Sequence, residues 1–129
     1  MKKRQVVITG AGASGLMAAI MAARKGAAVT VLEQNEKPGK KICATGNGRC
    51  NFSNLAKPDD AYRGEHPEFA EGALVQFSVE DTIDFFREIG IYPLNRNGYL
   101  YPRSNQAQSV VDVLCMEAAS LGVKIKTNE

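Results

Sequence analysis

Histidine occurs once in this chain, at His66, and cysteine three times, at Cys43, Cys50 and Cys115. With one imidazole and no C-x-x-C pair there is no ligand set for a zinc site. Three cysteines cannot all pair, which excludes a complete disulfide framework and fits a reducing, cytoplasmic setting. Long apolar runs are missing too: nothing approaches the ~18 residues of a membrane span. Lys2-Lys3-Arg4 is followed by only five residues before Gly10, too few for the apolar core of a signal peptide, and reads as a solvated lead-in. Excess charge of one sign is absent as well. The net charge is +2 and the positive residues are dispersed, which provides no nucleic-acid surface. No internal repeat or low-complexity tract is present.

What is there begins with Val6-Val7-Ile8-Thr9, an apolar run entering Gly10-Ala11-Gly12-Ala13-Ser14-Gly15. The spacing is G-x-G-x-x-G. Gly10 lets the chain turn off a strand, Gly12 lets the backbone approach a pyrophosphate, and Gly15 lets helix and strand pack closely. Residues 14 to 25 follow with helical periodicity, Leu16, Ala19, Ile20 and Ala23 on one face, and Gly26 as the stop. The start of that helix offers free N–H groups and a positive dipole end to a diphosphate. A second strand, Ala28 to Leu32, ends in Glu33, 23 residues after Gly10. That is close to the ~20 expected of an acid that holds a ribose hydroxyl pair. This βαβ opening reads as a dinucleotide site.

Beyond Glu33, Gln34 to Lys41 is polar and turn-forming through Pro38-Gly39. Residues 42 to 54 show no clear period. They hold Thr45, Gly46, Gly48, Arg49, Cys50 and Asn51, and read as a long irregular connection rich in donors for an anion. Leu55 to Glu65, with Pro58, reads as an exposed excursion, and His66 as a solvated loop residue. Pro67 opens a short helix carrying Phe69, Ala73, Leu74 and Phe77. Ser78 and Asp81 form a capping box for a helix with Val79, Ile83, Phe86 and Ile89 on one face, stopping at Gly90. Asn97-Gly98 marks a hairpin between residues 91–94 and 99–101, with Pro93 and Pro102 pointing to short edge strands. A regular helix spans residues 106 to 120, with Asn105 or Ser104 as cap, and a strand from Val123 follows. The tyrosines and phenylalanines are read as core and hairpin packing.

Three blocks together carry a resemblance. The Gly10–Gly15 turn with Glu33 resembles the FAD-binding opening of the two-dinucleotide-domain flavoproteins. Gly39-Lys40-Lys41-Ile42, then Thr45-Gly46-Asn47-Gly48-Arg49-Cys50-Asn51-Phe52-Ser53-Asn54, is similar to one bacterial subgroup of them, which includes aminoacetone oxidase and the flavoprotein of bile-acid dehydroxylation. Gly98-Tyr99-Leu100-Tyr101-Pro102-Arg103-Ser104-Asn105-Gln106-Ala107 resembles that subgroup's third block. The resemblance covers essentially all 129 residues, as the N-terminal part of a longer family chain.

The resemblance implies a flavin-dependent oxidoreductase with FAD as cofactor, a small-molecule substrate, and NAD(P)H as a compatible electron donor. It places Gly10, Gly12, Ala13, Ser14 and Gly15 at the diphosphate, Glu33 at the adenosine ribose, Gln34 among the cofactor-binding residues, and Lys40 or Lys41 near the adenosine. Thr45, Gly46, Gly48, Arg49, Cys50 and Asn51 would border the ribityl chain and flavin. No catalytic residue is assigned. The expected fold is α/β, a partial Rossmann-like parallel sheet (the 3-2-1 half of the strand order) with a helical and hairpin insertion. Residues 1–129 are read as the N-terminal portion of the FAD domain, the remainder lying outside this chain. An open sheet edge at Val6, Val7 and Ile8 then invites self-association. Two other readings stay open: a non-catalytic dinucleotide-binding module, and flavin-linked thiol–disulfide chemistry at Cys43 and Cys50.

Overall fold

The computed structural model describes residues 2–56 and 61–129. Its elements run β1 (Gln5–Thr9), α1 (Ala13–Arg24), β2 (Ala28–Glu33), α2 (Lys40–Ala44), a 3-10 segment (Thr45–Gly48), β3 (Ser53–Asn54), a second 3-10 segment (Pro67–Ala70), α3 (Glu71–Gln76), α4 (Val79–Glu88), β4 (Pro93–Arg96), β5 (Tyr99–Pro102), α5 (Ala107–Ser120) and β6 (Lys124–Thr127).

The principal sheet has the order β1-β2-β6 and all its strands are parallel. This is the expected 3-2-1 half of a doubly wound sheet. Ile8 pairs with Val31, and Val31 with Ile125. Because side chains alternate along a strand, Val6, Ile8, Val29, Val31 and Ile125 share one face. They pack into a single core with Leu16, Ala19 and Ile20 of α1 and Val110, Val111, Leu114 and Ala118 of α5. The alternate positions turn away from that core, and Val7 there is 65% exposed. Among the described residues β1 has a strand partner on one side only.

The segment between β2 and α5 builds a second, antiparallel sheet of order β3-β5-β4. Asn97 and Gly98 both take positive φ, +52° and +91°, as the two-residue turn between β4 and β5 requires. β5 is the central strand rather than an edge, and it tolerates Pro102 because that proline is its last residue. Arg24, at the end of α1, ties the insertion to the core. Its guanidinium donates to Glu88 on α4 and to Glu117 on α5, the shortest bond being 2.7 Å to Glu117, and it lies over the Phe85 ring.

Several expectations need correction. Lys40–Ala44 is helical rather than turn, and Ser53–Asn54 pairs with β5 rather than staying irregular. The segment opened by Pro67 starts as a 3-10 turn, and its Phe69 is 89% exposed. On α4 the buried residue is Phe85, while Val79, Ile83 and Phe86 are half-buried. The N-cap position of α5 is Gln106, not Asn105 or Ser104, and its side chain makes no capping bond. Ser104 still contributes: its hydroxyl accepts from the Gln106 N–H at 3.2 Å and contacts the Ser109 hydroxyl. The excursion at residues 55–65 is exposed where described; residues 57–60, with Pro58, lie outside the described residues. His66 is exposed, with Nδ1 3.1 Å from Glu68. No helix among the described residues is long and apolar enough to cross a membrane.

Candidate functional site

Gly10 leaves β1 at φ +91°, and its N–H donates to the Leu32 carbonyl at 2.7 Å, which brings the turn back against the end of β2. Gly15 sits beneath that turn. A Cβ there would lie 1.9 Å from the Gly10 carbonyl oxygen, so only glycine fits. Gly12 is the opposite case. It is the N-cap residue of α1, no side chain caps the helix, and the first turn holds no acidic residue. A Cβ at Gly12 would meet nothing within 4 Å. The first-turn N–H groups of Ala13 and Ser14 therefore face space that an anion can enter, at the positive end of the helix.

Glu33 closes the other side of the turn. It is 6% exposed, and its carboxylate is held on both oxygens. Oε2 accepts from the Ala11 N–H at 2.7 Å; Oε1 accepts from the Asn35 N–H at 2.8 Å and the Asn35 Nδ2 at 2.7 Å. These bonds, the Asn35 N–H first and the Ala11 N–H next, keep its carboxyl below the ordinary carboxylate range. The Ala11 carbonyl in turn accepts from the Gly39 N–H at 2.8 Å. Gly39 has φ +72° and stands where a Cβ would come within 2.5 Å of Val111.

Two cavities meet here and share Gly12 and Lys41 as wall. One, of about 520 Å³, is bounded by Thr9 to Gly12, Leu32 to Asn35, Gly39 to Lys41 and Glu129. The other, of about 590 Å³, has an apolar wall formed chiefly by Met17, Ile42, Phe52, Phe77, Phe85 and Phe86. Ala13, Ser14, Thr45, Cys50 and Asn51 open onto this second space. Phe52, Phe77, Phe85 and Phe86, read from sequence as packing, thus line a cavity. The capping box and the spacing on α4 were the available signal, because they fix Thr82, Phe85 and Phe86 on one helix.

The predicted residues divide accordingly. Gly10, Gly12, Glu33, Gln34, Lys40 and Lys41 surround the polar cavity, and Ala13, Ser14, Thr45, Cys50 and Asn51 the apolar one. Gly15 is buried under the turn, and Gly46, Gly48 and Arg49 lie on the loop without lining either space. That loop is tightly wound. Gly46, Asn47, Gly48 and Cys50 all have positive φ, and a Cβ at Gly46 would come 2.7 Å from the Asn51 nitrogen. Ala11, Met17 and Asn35 are site residues that sequence reasoning missed.

The thiols are free. Cys50, not Cys43, is the buried one of the pair, and burial pushes its thiol up, away from the thiolate form. Cys43 faces a different cavity, beside Cys115, with its Sγ 3.4 Å from Gln108 Oε1. Among the described residues no cluster suits a metal ion.

Over residues 4–129 the sequence matches the HI0933-like protein Rossmann domain. It is 51% identical to the 3-dehydro-bile acid delta(4,6)-reductase of Clostridium scindens over 95% of this chain and 31% of that protein. It is 36% identical to the ribosomal RNA dihydrouridine synthase of Escherichia coli over 91% of this chain and 29% of that one. The chain thus spans about a third of the length of these relatives. Among solved structures, the 3-ketosteroid-delta4-(5alpha)-dehydrogenase of Rhodococcus jostii superposes with a TM-score of 0.61 at 15% identity, over 99% of this chain and 38% of that one.

Proposed function

Because the chain belongs to the HI0933-like Rossmann-domain family, we propose that it is the FAD-holding part of a flavin-dependent oxidoreductase acting on a small molecule. The observation that carries this reading is the uncapped start of α1 beside Gly12, facing open space, with the buried Glu33 carboxylate across the turn. A diphosphate needs the first feature and a ribose diol the second. In this reading Ala13 and Ser14 donate N–H groups to the diphosphate, Gly12 lets the backbone come close to it, and Gly10 and Gly15 shape the turn that carries them. Glu33 accepts from the ribose hydroxyls on the lone pairs its protein donors leave, and disfavours a 2′-phosphate by charge. Gln34, Lys40 and Lys41 border the adenosine end. Thr45, Gly46, Gly48, Arg49, Cys50 and Asn51 border the ribityl and flavin end.

Bound FAD would supply two-electron oxidation and reduction, with NAD(P)H as a compatible donor. The chain's own residues bind, orient and exclude water; the apolar cavity walls provide the last of these. A substrate of low charge fits the dispersed surface charge better than RNA does, and the three free thiols fit a reducing cytoplasm.

Titration of FAD into the chain and into Gly12→Val tests the reading. Gly12 has φ −84°, open to any residue, and a Cβ there meets no protein atom within 4 Å, so the variant should fold as the wild type does. Its FAD binding should be lost. Equal affinity of the two proteins would put the dinucleotide elsewhere.

A further inference from the structure

We propose that Asn35 is the positioning residue of the dinucleotide turn: it fixes the Glu33 carboxylate so that the other oxygen of that carboxylate clamps the Ala11 N–H. The proposal rests on the FAD reading above for its functional consequence, but the clamp itself is a property of the chain.

A glutamate at the end of a strand has three rotatable bonds and loses that freedom only if both oxygens are held. Asn35 supplies two of the three short bonds, from its backbone N–H and from its side-chain amide, both to Oε1. With Oε1 pinned, Oε2 is aimed at the fully buried Ala11, whose N–H donates to it at 2.7 Å. The Ala11 peptide is thereby gripped at both ends, by Glu33 at its N–H and by the Gly39 N–H at its carbonyl. The glycines on either side of Ala11 have no side chains to hold them, so this grip sets the path of the turn between Gly10 and Gly12. Asn35 is anchored in its own right. Its carbonyl accepts from the Asn128 N–H at 3.2 Å, and the adjacent Glu129 N–H donates to the Glu33 carbonyl at 3.1 Å. The end of β6 thus braces the clamp against the end of β2.

Charge does not explain the arrangement. The ionisable side chains lining the same cavity are Lys40 and Lys41 on α2 and Glu129 after β6. Among the described residues none is ion-paired with Glu33; its partners are amide N–H groups. Charge-assisted bonds of this kind are stronger than neutral ones and favour the ionised carboxylate.

The experiment follows the Ala11 amide by 15N–1H NMR across a pH titration of the ligand-free chain, alongside FAD affinity, for wild type, Asn35→Ala and the isosteric Asn35→Asp. In the wild type the Ala11 amide should titrate with a midpoint below the ordinary carboxylate range. The midpoint should rise in Asn35→Ala, which loses one donor, and rise further in Asn35→Asp, which also adds a like charge. FAD affinity near neutral pH should fall about tenfold in Asn35→Ala, and its acid limb should move to higher pH in the same order as the amide midpoints. General loosening of the fold would not produce that order, and thermal melts identify a variant that has simply unfolded; Asn35→Asp keeps the side-chain shape should Asn35→Ala do so. An unmoved Ala11 midpoint in both variants overturns the clamp. A moved midpoint with unchanged FAD affinity overturns its role in the site. If the wild type binds no FAD, the FAD reading falls, and the amide titration still decides whether Asn35 sets Glu33.

Discussion

The two cavities that meet at Gly12 are built by opposite means. The polar one is bounded by turns, at the ends of β1 and β2 and the start of α2. Its shape is set by hydrogen bonds of 2.7 to 2.8 Å, among them Gly10 to Leu32, Ala11 to Glu33 and Gly39 to Ala11. The apolar one is walled by side chains from several separate elements, and α4 closes it with Phe85 and Phe86. A backbone wall can be altered only by breaking a turn, whereas a side-chain wall changes with every methylene. One chain thus carries a fixed cradle for the part of a ligand common to all dinucleotides, beside a slot whose shape is free to vary. Arg24 holds α4, which carries part of the second wall, to α1 and α5.

The largest expected effect comes from breaking the backbone wall. Gly15→Ala places a methyl 1.9 Å from the Gly10 carbonyl, a contact that the strand and helix must separate to relieve. It should cost about 3 kcal/mol or more, above the usual range for overpacking because the obstructing atom is main chain. Chemical denaturation measures this; a wild-type midpoint would show that α1 can shift freely against β1. Breaking the side-chain wall should separate stability from the cradle. Phe85 is buried, and Phe85→Ala should lose about 3 kcal/mol, the low end for a phenylalanine because the site borders an open cavity. In the proposed reading ADP touches the polar cavity and the Ala13 and Ser14 N–H groups but not Phe85, so its affinity should match the wild type's at temperatures where both are folded. A parallel loss of ADP binding would mean that the two cavities are one unit.

That division also explains what was legible in sequence. β1, α1, β2 and α5 lie within a residue of their expected bounds, because their buried positions recur with the period of the element. The polar cradle was legible through Gly10, Gly12, Gly15 and Glu33, whose spacing is imposed by the turn itself. The fixing of Glu33 was not, since Asn35 reaches back over only two residues and carries no periodic signal. α2 escaped because five residues with two lysines show no apolar face, and its N-cap, Gly39, is chosen by the side chain of Val111 on a distant helix. The apolar cavity escaped for a general reason: a phenylalanine facing a space and one facing a core occupy the same positions on a helix.

A smaller effect is expected at the sheet edge, away from both cavities. β1 pairs with β2 alone among the described residues, and Val7 is 65% exposed on it. We propose that copies of this chain associate through that edge, whose unpaired main chain and apolar side chain offer a template for another strand. Val7→Lys should shift the chain toward monomer in size-exclusion chromatography with light scattering, while FAD affinity stays unchanged. A wild type that is already monomeric at high concentration would sink this idea without touching the cradle.

The smallest expected effect lies at the start of α4 and sharpens the comparison by pH. Ser78 caps the helix: its hydroxyl accepts from the Asp81 N–H at 3.1 Å, while its N–H and hydroxyl donate to the Asp81 carboxylate at 2.9 and 3.0 Å. Ser78→Ala should cost about 1 kcal/mol near neutral pH. Those donors hold the Asp81 carboxyl below its ordinary value, the backbone N–H contributing most. A carboxyl depressed in the folded state contributes stability above its unfolded pKa and loses it as pH falls through the folded value. The gap between wild type and Ser78→Ala should therefore narrow at low pH, where a protonated Asp81 no longer draws on the Ser78 hydroxyl. Glu33, depressed by its own amide donors, follows the same sign. It belongs to the polar cavity, so both proteins should keep an acid-induced loss of stability that the substitution does not remove. Urea unfolding near neutral pH and again well below the carboxylate range measures both. A gap of equal size at the two pH values would show that the hydroxyl–carboxylate bond adds nothing, and that Ser78 steadies α4, and with it the aromatic wall, through the Asp81 N–H alone.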